Sequence, residues 1–317
     1  MKILIILLAF FVASAAVLIG SVKIDFFDMS QTQRDILLYV RVPRVLLAGL
    51  VGAALALSGG LFQYVMKNPL ADSFTTGVSA SSALGAVLAI TLSLGAVIPI
   101  FAILGGIAGL GLVYKIASTK EGHIQPITML LAGIAMNVFC SAFISFLKFL
   151  SDDAVSSIVF WLMGGFQAAS FNKIVVLTLI LASSFALIRK DFLSMDILCF
   201  DDNTAHSSGV AVSRVRKKLF LIASVLTAFS VAYAGIIGFV GLIVPHVLRL
   251  IRFVKAEELL PLSLLIGATF MMANDLIART ILEEGQELPV GIITSTLGGI
   301  FFLYMLIKRK KELYYFL

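Results

Sequence analysis

Charged residues are scarce in this chain. Asp, Glu, Lys and Arg make up 13% of its 317 residues, against about 25% in a soluble globular protein. Too few polar side chains remain to cover a water-facing surface, so membrane lipid must cover much of it. Cysteine is nearly absent too. Cys140 falls in an apolar run and Cys199 in a polar one, which argues against a structural disulfide. The three histidines, His123, His206 and His246, are far apart, and neither H-E-x-x-H nor any Cys/His cluster occurs, so metal-ligand spacing is missing. No glycine is followed by lysine, which excludes the G-x-x-x-x-G-K-[ST] phosphate loop. No G-x-S-x-G nucleophile motif is found either. An enzyme reading has nothing to rest on, and no cofactor or metal is expected.

Apolar sequence is abundant, at 60% of residues and a mean hydropathy of +1.06. Unbroken runs such as 87–113 do not fit the in–out alternation of a β-barrel strand. The expected class is all-α and polytopic. A spanning helix needs roughly 20 apolar residues, and ten segments qualify: 3–22, 45–65, 74–92, 97–117, 125–149, 171–188, 218–237, 239–254, 259–281 and 289–307. Together they form one transmembrane domain over 1–317. Lys2, the apolar run after it and Ala13-Ser14-Ala15 resemble a cleavable leader. The run continues through Val22, however, and that length favours a retained helix.

With ten spans and a cytoplasmic N-terminus, 17 of the 24 Lys and Arg fall inside. That bias is what the positive-inside rule demands. The inside set includes Lys2, Lys120, Lys308, Arg309, Lys310 and Lys311, and the outside set includes Lys23. The acidic pairs Asp152–Asp153 and Glu283–Glu284 are assigned outside. The net charge of +6 is therefore an orientation signal and does not point to nucleic acid. The expected setting is a bacterial inner membrane with both termini cytoplasmic. The longest cytoplasmic segment, 190–218, suits one or two short helices against a soluble partner, and equally a solvated linker.

Ion-coupled carriers place costly acidic or His residues inside the membrane. Here only Asp275 lies well inside a long apolar span, with Arg279 one turn on, and an i, i+4 pair of that kind reads as a neutralising contact. An ion-coupled secondary carrier is thus the lesser alternative, and a non-transporting membrane scaffold a third. Gly59 precedes Pro69 by the same ten residues that separate Gly235 from Pro245, a weak echo of the kind inverted repeats leave. The glycines at 235, 238 and 241 suit either a broken helix or close packing.

Several blocks, in order along nearly the whole chain, resemble the iron-chelate and vitamin B12 uptake permease family. They are Arg41-Val42-Pro43-Arg44, Gly52 to Gly59 with Gln63, Asn68-Pro69-Leu70-Ala71, Gly77-Val78-Ser79, Trp161 to Gly165, Gly235 to Arg249, Leu288 to Gly291, and Thr294 to Gly298. The resemblance implies ten helices per subunit in an inverted-repeat bundle. It further implies an identical or paralogous second permease, two ABC ATPase subunits, and a periplasmic or lipoprotein substrate-binding protein. The expected cargo is a ferric siderophore, with vitamin B12 or haem as alternatives.

The same resemblance nominates sites. Arg41, Arg44 and Arg279 match arginines that meet acidic residues of the binding protein; snorkelling is the other reading for Arg41 and Arg44. Asn68 and Leu70, with Pro126 and Ile127, match the inner gate, although Pro126 and Ile127 replace the small polar residues common there. Residues 196–210 occupy the place of the ATPase-coupling helices, with Asp196, Asp201, Asp202, Ala205, Ser208 and Gly209 as candidates. Ser208-Gly209 departs from the usual Leu-Gly, and Cys199 to Asp202 also diverge.

Overall fold

The structure is a computed structural model. It describes all residues except 1, 23, 26–27, 119–123, 283–285 and 309–317, and leaves out the side chains of Lys2 and Lys308. Lys23, Lys120, His123, the pair Glu283–Glu284, Arg309, Lys310 and Lys311 therefore lie outside the described residues.

The fold is helical, and among the described residues the only β contact is an isolated bridge between Ser118 and Ile124. The helices are α1 (Lys2–Leu18), α2 (Gln31–Met66), α3 (Val78–Thr91), α4 (Ile98–Ala117), α5 (Pro126–Leu150), α6 (Val155–Leu162) and α7 (Phe171–Ile188). They continue with α8 (Phe192–Leu198), α9 (Asp202–Ser207), α10 (Val212–Ala234), α11 (Val240–Leu250), α12 (Ala256–Thr280) and α13 (Val290–Lys308). Each of the ten expected spans contains one apolar helix. Among the described residues, seven helical stretches are long enough to cross a bilayer, and three apolar helices, α1, α3 and α11, are shorter.

The axis of the bundle is α2, which runs unbroken for 36 residues with 89% of its apolar window buried. A capping box starts it: Ser30 Oγ accepts from the Gln33 amide and Gln33 Oε1 accepts from the Ser30 amide. Its second turn, Ile36–Arg41, is π-helical. Pro43 follows two residues after Arg41. Its ring crowds the carbonyl one α-turn back and supplies no donor, and a widened turn relieves that crowding. Lys67 ends the helix in the left-handed region at φ 49°, with Pro69 two residues on.

Small residues let other helices close on this axis. A Cβ at Gly52 would lie 2.2 Å from the Gly267 carbonyl oxygen of α12, and one at Gly59 would lie 2.1 Å from that of Gly241 in α11. The two Gly-to-Pro stretches thus touch each other, yet they fold differently. Pro69 sits in the turn after α2, while Pro245 is inside α11.

Two expected spans are shorter than the apolar text suggested. The stretch 74–92 becomes α3 because the Asp72 carboxylate accepts the amides of Phe74 and Thr75, each at 3.0 Å, and holds a turn there. The stretch 239–254 becomes the 11-residue α11 because the chain breaks after α10. Gly235 takes φ 70° and Phe239 φ 68°. The Phe239 ring fills the space where Gly298 of α13 lacks a side chain. Outward faces are apolar, as in the row Phe139, Phe143, Phe146 and Phe149 of α5, which suits lipid contact.

Candidate functional site

At one end of α2 the three predicted arginines meet. Arg44 grips Asp275 of α12 through Nε (3.0 and 3.2 Å) and Nη2 (2.9 Å), and Glu287 through Nη1 (2.6 Å). Arg279 Nε reaches Asp275 Oδ2, which Arg44 Nε also contacts, at 3.0 Å. Two arginines and two carboxylates therefore share one site, which balances the cost of taking charge out of water. The anticipated Asp275–Arg279 contact is present, with Arg44 as a further partner.

The arginines also finish α1. Arg41 donates to the carbonyls of Leu18 (2.9 Å), Val17 (3.4 Å) and Val22, and Arg279 to those of Ala16 (2.9 Å) and Ile19 (3.3 Å). The carbonyls of Ala16, Val17 and Leu18 end α1 and lack intrahelical donors, and those of Ile19 and Val22 belong to the segment just after it. Arg41, Arg44 and Arg279 are only 4%, 6% and 2% exposed, so their guanidinium groups turn inward onto partners within this chain. Beside them lies a cavity of about 230 Å³, lined by Ser21, Val40, Arg41, Arg44, Arg279 and Glu287 among others. Glu287, reached also by the Ser21 hydroxyl at 3.3 Å, has its side chain 20% exposed.

At the opposite end of α2 the polar loop folds into α8 and α9. Asp196 turns inward. Its Oδ1 accepts the Ala256 amide at the start of α12 (2.8 Å) and the Tyr64 hydroxyl (3.5 Å). Asp201 caps α9 by accepting the Thr204 amide at 2.8 Å and hydroxyl at 2.5 Å, and these bonds hold its carboxyl below the ordinary value. Asp202 joins three elements. It accepts from Arg216 of α10 at 2.6 and 2.7 Å and pairs with Lys67 of α2 at 2.7 Å. The Arg216 contact leads in pulling its carboxyl down to about 2. Ala205 is buried under α9, whereas Ser208 and Gly209 are exposed, Gly209 at φ 82°.

The gate candidates lie near this end. Asn68 Oδ1 accepts the Leu70 amide at 2.9 Å and fixes the turn after Lys67. Pro126 opens α5, and Ile127 beside it is 76% exposed.

Residues 2–308 match the model of the FecCD transport family. The chain belongs to that family. It is 39% identical over 286 residues to the cobalamin import system permease protein BtuC of Halobacterium salinarum, covering 90% of this chain and 76% of the relative. It is 36% identical over 282 residues to the Fe(3+) dicitrate transport system permease protein FecD of Escherichia coli, covering 87% and 86%. Among solved structures, a metal-chelate type ABC transporter in an inward-facing conformation superposes with a TM-score of 0.86 at 30% identity, covering 96% and 97%. The chain is accordingly an ABC importer permease, and ATP hydrolysis belongs to a separate subunit.

Several residues that organise this FecCD permease went unnoticed in the sequence. Glu287 follows Gln286 with no local sign of a partner, and Lys67 and Arg216 show nothing in the sequence beyond their charge. Arg249 donates to Gln63 Oε1, and Gln63 Nε2 donates to the Gly241 carbonyl at 3.3 Å, which binds α2 to α11. Both residues stand in the family blocks, and a charge closing an apolar run was the available signal.

Proposed function

We propose that this FecCD permease is one membrane half of an importer for a ferric siderophore in the bacterial inner membrane. It acts with a second permease, identical or paralogous, two ATPase subunits and an external binding protein, and both termini face the cytoplasm. The reading is carried by one observation: the chain follows the FecCD pattern over residues 2–308, while the short helix α9 exposes a polar face at the end opposite the arginines. The likenesses to the Fe(3+) dicitrate permease and to the metal-chelate type transporter support that cargo. Cobalamin is the second reading, supported by the 39% identity to the archaeal permease.

The arginine end is where the binding protein would dock. Supporting this are the recess beside Arg41 and Arg44 and the exposed edge of Glu287, where an acidic side chain from outside could compete for guanidinium. Asn68, Leu70, Pro126 and Ile127 would close the inner end of the pathway. The exposed face of α9, with Asp201, Ser208 and Gly209, would meet the ATPase, while Asp196, Asp202 and Ala205 hold that face in place.

The test is purification of the tagged chain from native membranes, then reconstitution in liposomes with its copurifying subunits and binding protein. ATP-dependent accumulation of radiolabelled ferric siderophore, and none of cobalamin, is expected. Cobalamin uptake alone would shift the cargo to the second reading. Recovery without an ATPase, or uptake driven by an ion gradient, would refute the importer assignment.

A further inference from the structure

We infer that Asp202 and Lys67 form a strut that makes the inner end of α2, and the turn at Asn68–Leu70, follow the movement of α9. The inference rests on the assignment of α9 as the surface that meets the ATPase.

The geometry is specific. α9 has six residues and buries one of them, Ala205, so its apolar hold on the bundle is a single methyl group. Such a contact resists separation but not sliding, because dispersion forces carry no direction. The directional connection is made at the first residue of the helix. The Asp202 carboxylate takes two parallel bonds from the Arg216 fork and a third contact from Lys67 Nζ. Lys67 Nζ also donates to the Phe200 carbonyl at 3.1 Å, so it grips both sides of the short link before α9.

Lys67 is placed to pass displacement on. It is the left-handed residue that ends α2, directly ahead of Asn68, whose side chain holds the Leu70 amide. A pull on the ammonium therefore acts where the helix gives way to the turn. Arg216 is nearly fully buried at the base of α10 and provides the fixed point on the other side. Both Lys67 and Asp202 keep partial solvent contact, at 26% and 51% side-chain exposure. A pair so exposed contributes little to overall stability, so its removal should leave folding and assembly intact. These are positioning residues, acting through the turn that they hold.

The test uses the full complex with its copurified ATPase. In a Cys140→Ser, Cys199→Ser background, Leu70→Cys serves as a reporter, and its maleimide reactivity is compared without nucleotide and with ATP plus vanadate. With the strut intact, nucleotide changes the reactivity at position 70. In Lys67→Met, ATPase turnover persists while that change shrinks by about 2- to 30-fold, the range expected when a coupling contact is cut, and Asp202→Asn shows the same shrinkage whatever turnover it retains. Lys67→Arg restores it. Because Lys67→Met keeps its ATPase turnover when assayed without vanadate and Lys67→Arg restores the response, a purely structural role would not produce this pattern. Lys67→Met lies off the α9 surface and keeps the test valid if Asp202→Asn weakens assembly. An undiminished response in both variants overturns the strut. Absence of any ATPase or any response in the unmodified complex overturns instead the importer reading beneath it.

Discussion

Replacing Asp275 by Ala removes the carboxylate that Arg44 and Arg279 share. Asp275 is 1% exposed, and the two arginines are 6% and 2% exposed, so water cannot replace the lost partner. Breaking a buried pair in this way costs about 3–5 kcal/mol. Arg44 would keep Glu287, and Arg279 would keep the Ala16 and Ile19 carbonyls, which places the cost near the lower bound. About 3 kcal/mol is a shift of more than a hundredfold in the unfolding equilibrium. The chain contains its own reporter: Cys140 is 1% exposed in α5, 3.7 Å from Ser81 Oγ. In a Cys199→Ser background, labelling of Cys140 during an SDS titration in mild detergent follows unfolding. Glu287→Gln should cost at most about 1 kcal/mol, as its side chain reaches solvent and Arg44 keeps Asp275. The two substitutions should not add, because both carboxylates meet on Arg44. A loss under about 1 kcal/mol for Asp275→Ala would show that the cluster does not hold α1, α2 and α12 together.

Gly59→Ala should destabilise by more than about 1–3 kcal/mol, because its Cβ would meet backbone atoms of Gly241 at 2.1 Å and a helix must move; the same titration reads the loss. Gly209→Ala meets no neighbouring atom, so only its left-handed φ of 82° opposes it. A local cost of about 1–2 kcal/mol is expected, and less for Asn, visible as faster amide exchange over 202–211. Asp202 titrates near 2 in the folded protein against an ordinary 3.8. Its contribution is thus complete above 3.8 and is lost as pH falls towards 2. Exchange protection of α9, corrected for intrinsic rates, should step down in that window, and Asp202→Asn should abolish the step.

The ten helices were legible because length and apolarity are averages over whole segments. The shortened ends of α3 and α11 were not, since each depends on a local device inside apolar text. One is the Asp72 carboxylate that holds a turn, and the other is the left-handed pair Gly235 and Phe239. At the arginine end, only the Asp275–Arg279 contact had a local sign, its i, i+4 spacing. The dominant Asp275–Arg44 grip joins residues 231 apart and follows from the packing of α2 on α12. Likewise the length of the 190–218 loop suited short helices and a solvated linker equally. Which of its acids turn inward depends on where Tyr64, Lys67 and Arg216 arrive in space.

The π-helical turn at Ile36–Arg41 bears on how the chain tolerates changes in length. A π turn is an α turn holding one surplus residue. Deleting a residue there would restore ordinary winding and leave the capped tip Gln31–Asp35 close to its present facing, because the widened turn already takes up the surplus residue. Everything from Arg44 to Lys67 would keep its facing, because the change is absorbed ahead of it. Single-residue insertions and deletions can thus accumulate on the stretch between α1 and Arg41 without disturbing the register that sets the two charged ends of α2. That end of the bundle is free to drift in length while the rod beneath it stays in phase.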